Sequence, residues 1–95
     1  MRYSTTLRGH LQLVITDEAD WAEFERLAET IRDGFEAQII ERLDGLDERY
    51  WDLEISGQTI TLHLQHFLGI CVFAESAEAE PLVREIGAFL EAKGR

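Results

Sequence analysis

The sequence predicts an α+β domain: two layers in the order β-α-β-β-β-β-α, with two helices packed on one face of a mostly antiparallel sheet. Three observations carry this reading. Apolar residues alternate with polar ones at Leu11, Leu13 and Ile15, at Trp51, Leu53 and Ile55, and at Ile60, Leu62 and Leu64, the period of a half-buried strand. Phe24, Leu27, Ala28 and Ile31 recur instead at helical spacing, and so do Leu82, Ile86, Phe89 and Leu90, with Val83 at the edge of that stripe. Helices at the first crossover and at the end of a run of strands define a sheet covered on one side. A chain of 95 residues fits a single domain, residues 1–95.

The elements follow in order. The first strand, Leu11 to Ile15, stops at Thr16 and Asp17, and Asp17 with Asp20 reads as a capping pair for the helix. Asp33-Gly34 ends that helix, with Gly34 free to take the left-handed conformation past its last turn. A second strand covers Phe35 to Arg42, with Phe35, Ala37 and Ile39 on one face. Leu43 to Glu48 is a loop around Asp44-Gly45.

The next segment predicts a hairpin closed by Gly57-Gln58 as a two-residue type II′ loop. Counting outward, Ile55 faces Ile60, Leu53 faces Leu62 and Trp51 faces Leu64. On the other face Glu54 meets Thr61 and Asp52 meets His63. Leu68-Gly69 begins another reversal into a strand from Ile70 to Ala74. A two-residue loop there places Leu64 beside Phe73, and a three-residue loop places His66 beside Val72. Apolar residues on both faces of this strand suit a central position. The final helix lies within Ala77 to Lys93, becoming regular near Glu80 because Pro81 fits only a first turn. Ser76 caps an irregular lead-in, and Lys93 and Arg95 suit the negative end of the helix dipole.

Composition narrows the function classes. The net charge is −10, with 45% apolar and 29% charged residues, which argues for a folded acidic domain. Such a chain repels phosphate backbones and anionic lipid, so neither nucleic acid nor membrane is an expected partner. A basic protein partner is, and a homodimer is a further option. Cys71 is the single cysteine and sits in an apolar run, so it is expected to pack as a core thiol. No apolar stretch has signal-peptide or membrane-span length, and the expected location is cytoplasmic.

Candidate site residues are those on the polar face of the hairpin: Asp52, Glu54, Thr61, His63 and Gln65. Asp52 opposite His63 is a carboxylate–imidazole pair, the arrangement of a general base and equally that of a cross-strand ion pair on a wet sheet face. His63 and His66 lie three apart on one strand and point to opposite faces, so they cannot share a metal. Neither a metal-ligand spacing nor a phosphate-binding glycine loop is present, and no cofactor is expected. In size, acidity and layout the chain is similar to small bacterial domains and to some toxin-neutralising immunity proteins, a likeness of composition alone. The expected function is a non-enzymatic protein-interaction module. The alternative is a small-molecule-binding or catalytic domain built on the polar face around His63, Asp52 and Glu54.

Overall fold

The sheet has six strands in the order β1-β2-β6-β5-β4-β3, and every neighbouring pair is antiparallel. In the computed structural model, which describes residues 1–94, these are β1 (Arg2–Thr5), β2 (Leu11–Thr16), β3 (Gln38–Asp44), β4 (Glu48–Ile55), β5 (Gln58–Gln65) and β6 (Gly69–Phe73). Helix α1 (Trp21–Phe35) joins β2, next to one edge of the sheet, to β3 at the opposite edge. A single 3-10 turn (Ala77–Ala79) leads into α2 (Glu80–Ala92), which lies over β2 and β6. Arg95 lies outside the described residues.

The core forms where the two periodicities meet. Phe24, Leu27 and Ile31 of α1 and Leu82, Ile86 and Leu90 of α2 pack on Leu13, Leu53, Ile60, Leu62, Leu64, Ile70 and Val72, all from one face of the sheet. Phe89 is only partly buried, contrary to its place in the stripe. It stands at the edge of the core, edge-on to Phe35, with ring centroids 5.2 Å apart. Its ring explains Gly34, which does not terminate α1. Gly34 lies inside the helix, where a Cβ would overlap the Phe89 ring, and Glu36 takes the left-handed cap at φ 52°. The N-cap is Asp20, whose carboxylate accepts from the amides of Ala22 and Glu23. Ser76 makes no side-chain cap bond, so Pro81 in the first turn of α2 is the stronger start signal.

Strand β1 adds one element to the expected order. It pairs with β2 through Tyr3–Leu13, and Thr6 to Gly9 close the turn between them. The second expected strand starts later than read, at Gln38 rather than Phe35, because the helix runs on through Phe35.

The β4–β5 hairpin keeps its faces but not its partners. Its loop is Ser56-Gly57, with φ of 52° and 81°, the two positive values of a type I′ turn. Ile55 therefore faces Gln58, Leu53 faces Ile60, Trp51 faces Leu62, and Asp52 faces Thr61 rather than His63. Moving the loop by one residue shifts every partner by two, which preserves the alternation and leaves the apolar set inside. Pairing between β5 and β6 is also neither of the two expected registers: Leu64 meets Ile70 and Leu62 meets Val72, with His66 to Leu68 as the loop. Gly69 decides this. It adopts φ 96° directly beneath the end of β2, where a Cβ would overlap the Thr16 carbonyl oxygen and the Asp17 backbone.

One charge lies in the core layer. Arg49 is 4% exposed and sits among the rings of Trp21, Phe24 and Trp51, at 4.4, 5.0 and 4.7 Å from their centroids. Its guanidinium donates to both Asp44 oxygens, at 2.9 and 3.3 Å, and stands 3.2 Å from Glu25. Asp44 also accepts from the Trp51 indole at 2.9 Å. The Arg49 and Trp51 bonds hold the Asp44 carboxyl below its usual range. Burial disfavours the Arg49 charge, but Asp44 and Glu25 outweigh it and keep the guanidinium fully protonated.

Four substitutions separate these contributions. Gly57→Ala meets open space and should cost about 1 kcal/mol for its positive φ alone, whereas Gly69→Ala adds a backbone clash and should cost about 3 kcal/mol or more in denaturant melts. Arg49→Lys retains the charge but loses the fork onto Asp44, and should cost roughly 1.5–3 kcal/mol. Glu25→Gln, at the exposed end of the cluster, should stay below about 1 kcal/mol in the same melts.

Candidate functional site

The face of the sheet away from the helices carries the site. Strand pairing lays its side chains out in rows. One row runs Arg2, Val14, Cys71, His63, Tyr50, Leu43 across all six strands. The next runs Ser4, Gln12, Phe73, Thr61, Asp52, Glu41. The first row is largely apolar and the second becomes acidic toward β3. The face is thus not uniformly wet, as alternation within the hairpin alone suggests. Val14 and Cys71 are buried in it, and burial pushes the Cys71 thiol up to about 11.

His63 occupies the centre of the apolar row. Its ring stacks on Tyr50, centroids 4.1 Å apart and planes 11° from parallel, and meets Phe73 edge-on at 6.2 Å. Its side chain is 13% exposed, and the buried Nε2 has no hydrogen-bond partner among the described residues. The Glu48 carboxylate stands 3.9 Å from Nε2, too far for a hydrogen bond. Burial lowers the His63 pKa below 6.5, and the nearby Glu48 charge offsets only part of that. The expected pair of Asp52 with His63 fails with the register, since Asp52 faces Thr61 and His63 faces Tyr50.

The other expected site residues divide. Asp52 accepts from the Thr61 hydroxyl at 2.7 Å, a bond between directly opposed residues. Glu54 faces Thr59 and is exposed. Gln65 serves its own loop, its side-chain oxygen accepting from the Phe67 amide at 2.9 Å. Asp52, Thr61 and His63 therefore share one face, but the carboxylate and imidazole are not a pair.

Two depressions lie on this face. One, of about 440 Å³, is floored by Tyr50, His63, Phe73 and Gln12 and bordered by Leu7 and Leu68. The second, of about 420 Å³, is lined by Asp52, Thr59, Thr61, Glu75 and Glu78. Glu75 borders both, so they adjoin. Tyr50, Phe73, Leu68 and Leu7 were not among the expected site residues. Tyr50 was legible, since it alternates with Trp51 and so faces outward. Phe73 was not, because its neighbours depend on the β5–β6 register.

The arrangement defines a two-layer α+β domain in which one face of an antiparallel sheet is left bare, with an aromatic middle and an acidic flank. Among the described residues no cluster of three or more His, Cys, Asp or Glu is placed to hold a metal ion, and no helix is long and apolar enough to cross a membrane. The chain belongs to the family described as protein of unknown function (DUF3630), whose model matches residues 1–93. No curated protein and no solved structure matches it.

The lowered His63 pKa sets a pH dependence. A group whose folded pKa is depressed by burial of its neutral form contributes stability that is fully present above the unfolded value of ~6.5 and is lost as pH falls through the folded one. NMR titration should give a His63 midpoint below 6.5. Glu48→Gln should lower it further, because the nearby carboxylate that favours the imidazolium is removed. A midpoint above 6.5 would contradict the burial of this ring.

Proposed function

We propose that this domain is a non-enzymatic protein-interaction module of the cytoplasm that docks a partner on its open sheet face. The observation that supports it best is the aromatic groove bordered by apolar side chains that the fold leaves in water. Leu7 is fully exposed and Leu68 is 56% exposed, beside the Tyr50–His63–Phe73 floor. Apolar side chains grouped at a concave surface are characteristic of interaction sites, whereas scattered ones are ordinary. The groove is open and shallow, a shape that suits a protein segment.

A second reading, a small-molecule or catalytic domain using His63, Asp52 and Glu54, has one observation in its favour, the unpartnered Nε2 of His63. Against it, Asp52 is bonded to Thr61 and so does not orient the imidazole.

Site-specific photo-crosslinking separates the readings. A crosslinker replacing Leu68 should capture a discrete partner in the cells that make the protein. The same crosslinker replacing Glu29, on the exposed side of α1, should not. Equal capture from both positions, or none from position 68, would contradict docking at this face.

A further inference from the structure

We propose that the occupant of the open face is a basic, apolar segment of a partner protein, its apolar side chains on the Tyr50–His63–Phe73 floor and its Lys or Arg side chains over the acidic flank. The proposal rests on the docking reading above and adds the partner's chemistry.

Glu41 on β3 is paired directly across from Asp52 on β4, and Glu54 is the next residue of β4 on the same face. Like charges directly opposed on neighbouring strands destabilise a sheet. Nothing in the free molecule relieves them: among the described residues none of the three forms an ion pair. Asp52 has only the neutral Thr61 hydroxyl. The acidic depression continues the same field with Glu75 and Glu78. The cations available on this face are already engaged, Arg2 with Asp17 at 3.0 Å and Arg8 with Glu75 at 4.0 Å.

An apolar floor therefore adjoins a negative flank in which Glu41, Asp52 and Glu54 have no ion-pair partner among the described residues, while Glu75, paired with Arg8, stands on the border between them. A neutral apolar segment would satisfy the floor and leave the opposed carboxylates closer to a desolvated surface. An acidic one would be repelled. A segment that alternates or combines apolar and cationic side chains satisfies both, and its charge steers the encounter.

Selection from a random dodecapeptide phage library on the immobilised full chain tests this. Recovered peptides should carry net positive charge with aromatic or aliphatic residues. Their binding should weaken as salt rises. It should also fall about tenfold on the triple variant Glu41→Gln, Asp52→Asn, Glu54→Gln. A triple variant on α1 and its cap, Glu29→Gln, Asp33→Asn, Glu36→Gln, removes the same charge elsewhere and should change binding less than about twofold. The salt titration on the parent chain keeps the test valid if the first variant folds poorly. Enriched peptides without positive charge, equal losses in the two variants, or no enrichment would each overturn the proposal. Competition by spermidine as effective as by the peptide itself would instead indicate a small polyamine and would also overturn it. A partner crosslinked from position 68 but indifferent to the Glu41, Asp52 and Glu54 substitutions would leave the docking face standing and remove only this chemistry.

Discussion

Arg49 is the constraint around which this fold is arranged. A guanidinium at 4% exposure forfeits most of its hydration, a cost of several kcal/mol that must be offset locally. The offset comes from three separate parts of the chain. Trp21 opens α1 and supplies a ring face, and its carbonyl lies 3.4 Å from the guanidinium. Asp44 ends β3 and supplies a two-point acceptor, while Trp51 supplies a second ring and donates to the same Asp44. The first turn of α1, the last residue of β3 and the middle of β4 must therefore converge. The β3–β4 loop has little freedom, because Asp44 and Arg49 are directly paired across the strands it joins.

That cluster was not legible in the sequence. Arg49 stands next to Glu48 and Tyr50, and a charged residue at a strand end reads as solvated. Only its parity with Trp51 and Leu53 hinted that it faces inward, and parity does not reveal that three aromatic rings will surround it. Those partners come from positions 21, 24 and 51, and no local pattern joins them. The layers, by contrast, were legible, because each apolar face is written into a short stretch and survives errors at the boundaries. Helix α1 extends two residues past its expected stop, yet its buried set is unchanged.

The hairpin shows the same division. Its apolar face depends on parity, which the alternation fixes. Its partners depend on which two residues make the turn, which rests on the φ preferences of Ser56, Gly57 and Gln58. Gly57 has a positive φ in either loop, so its presence does not discriminate between them. Ser56 settles the matter at φ 52°, an uncommon conformation for a residue with a Cβ. The candidate site inherited this error. Asp52 and His63 share the open face as expected, but the imidazole faces Tyr50 and the carboxylate faces Thr61. What the chain presents is consequently an aromatic stack beside a row of acids.

The bulge on β3 has a bearing on how this protein behaves at the concentrations of a living cell. Strand β3 is one margin of the sheet, and its pairing with β4 slips by one residue between Ile39 and Glu41. A margin interrupted in this way does not offer the evenly spaced amides and carbonyls that another strand needs to join it. Just past the interruption come Glu41, Arg42 and Asp44, charges that any incoming strand would have to desolvate. The sheet thus leaves one broad face bare while its β3 margin resists growing into a fibre of stacked copies.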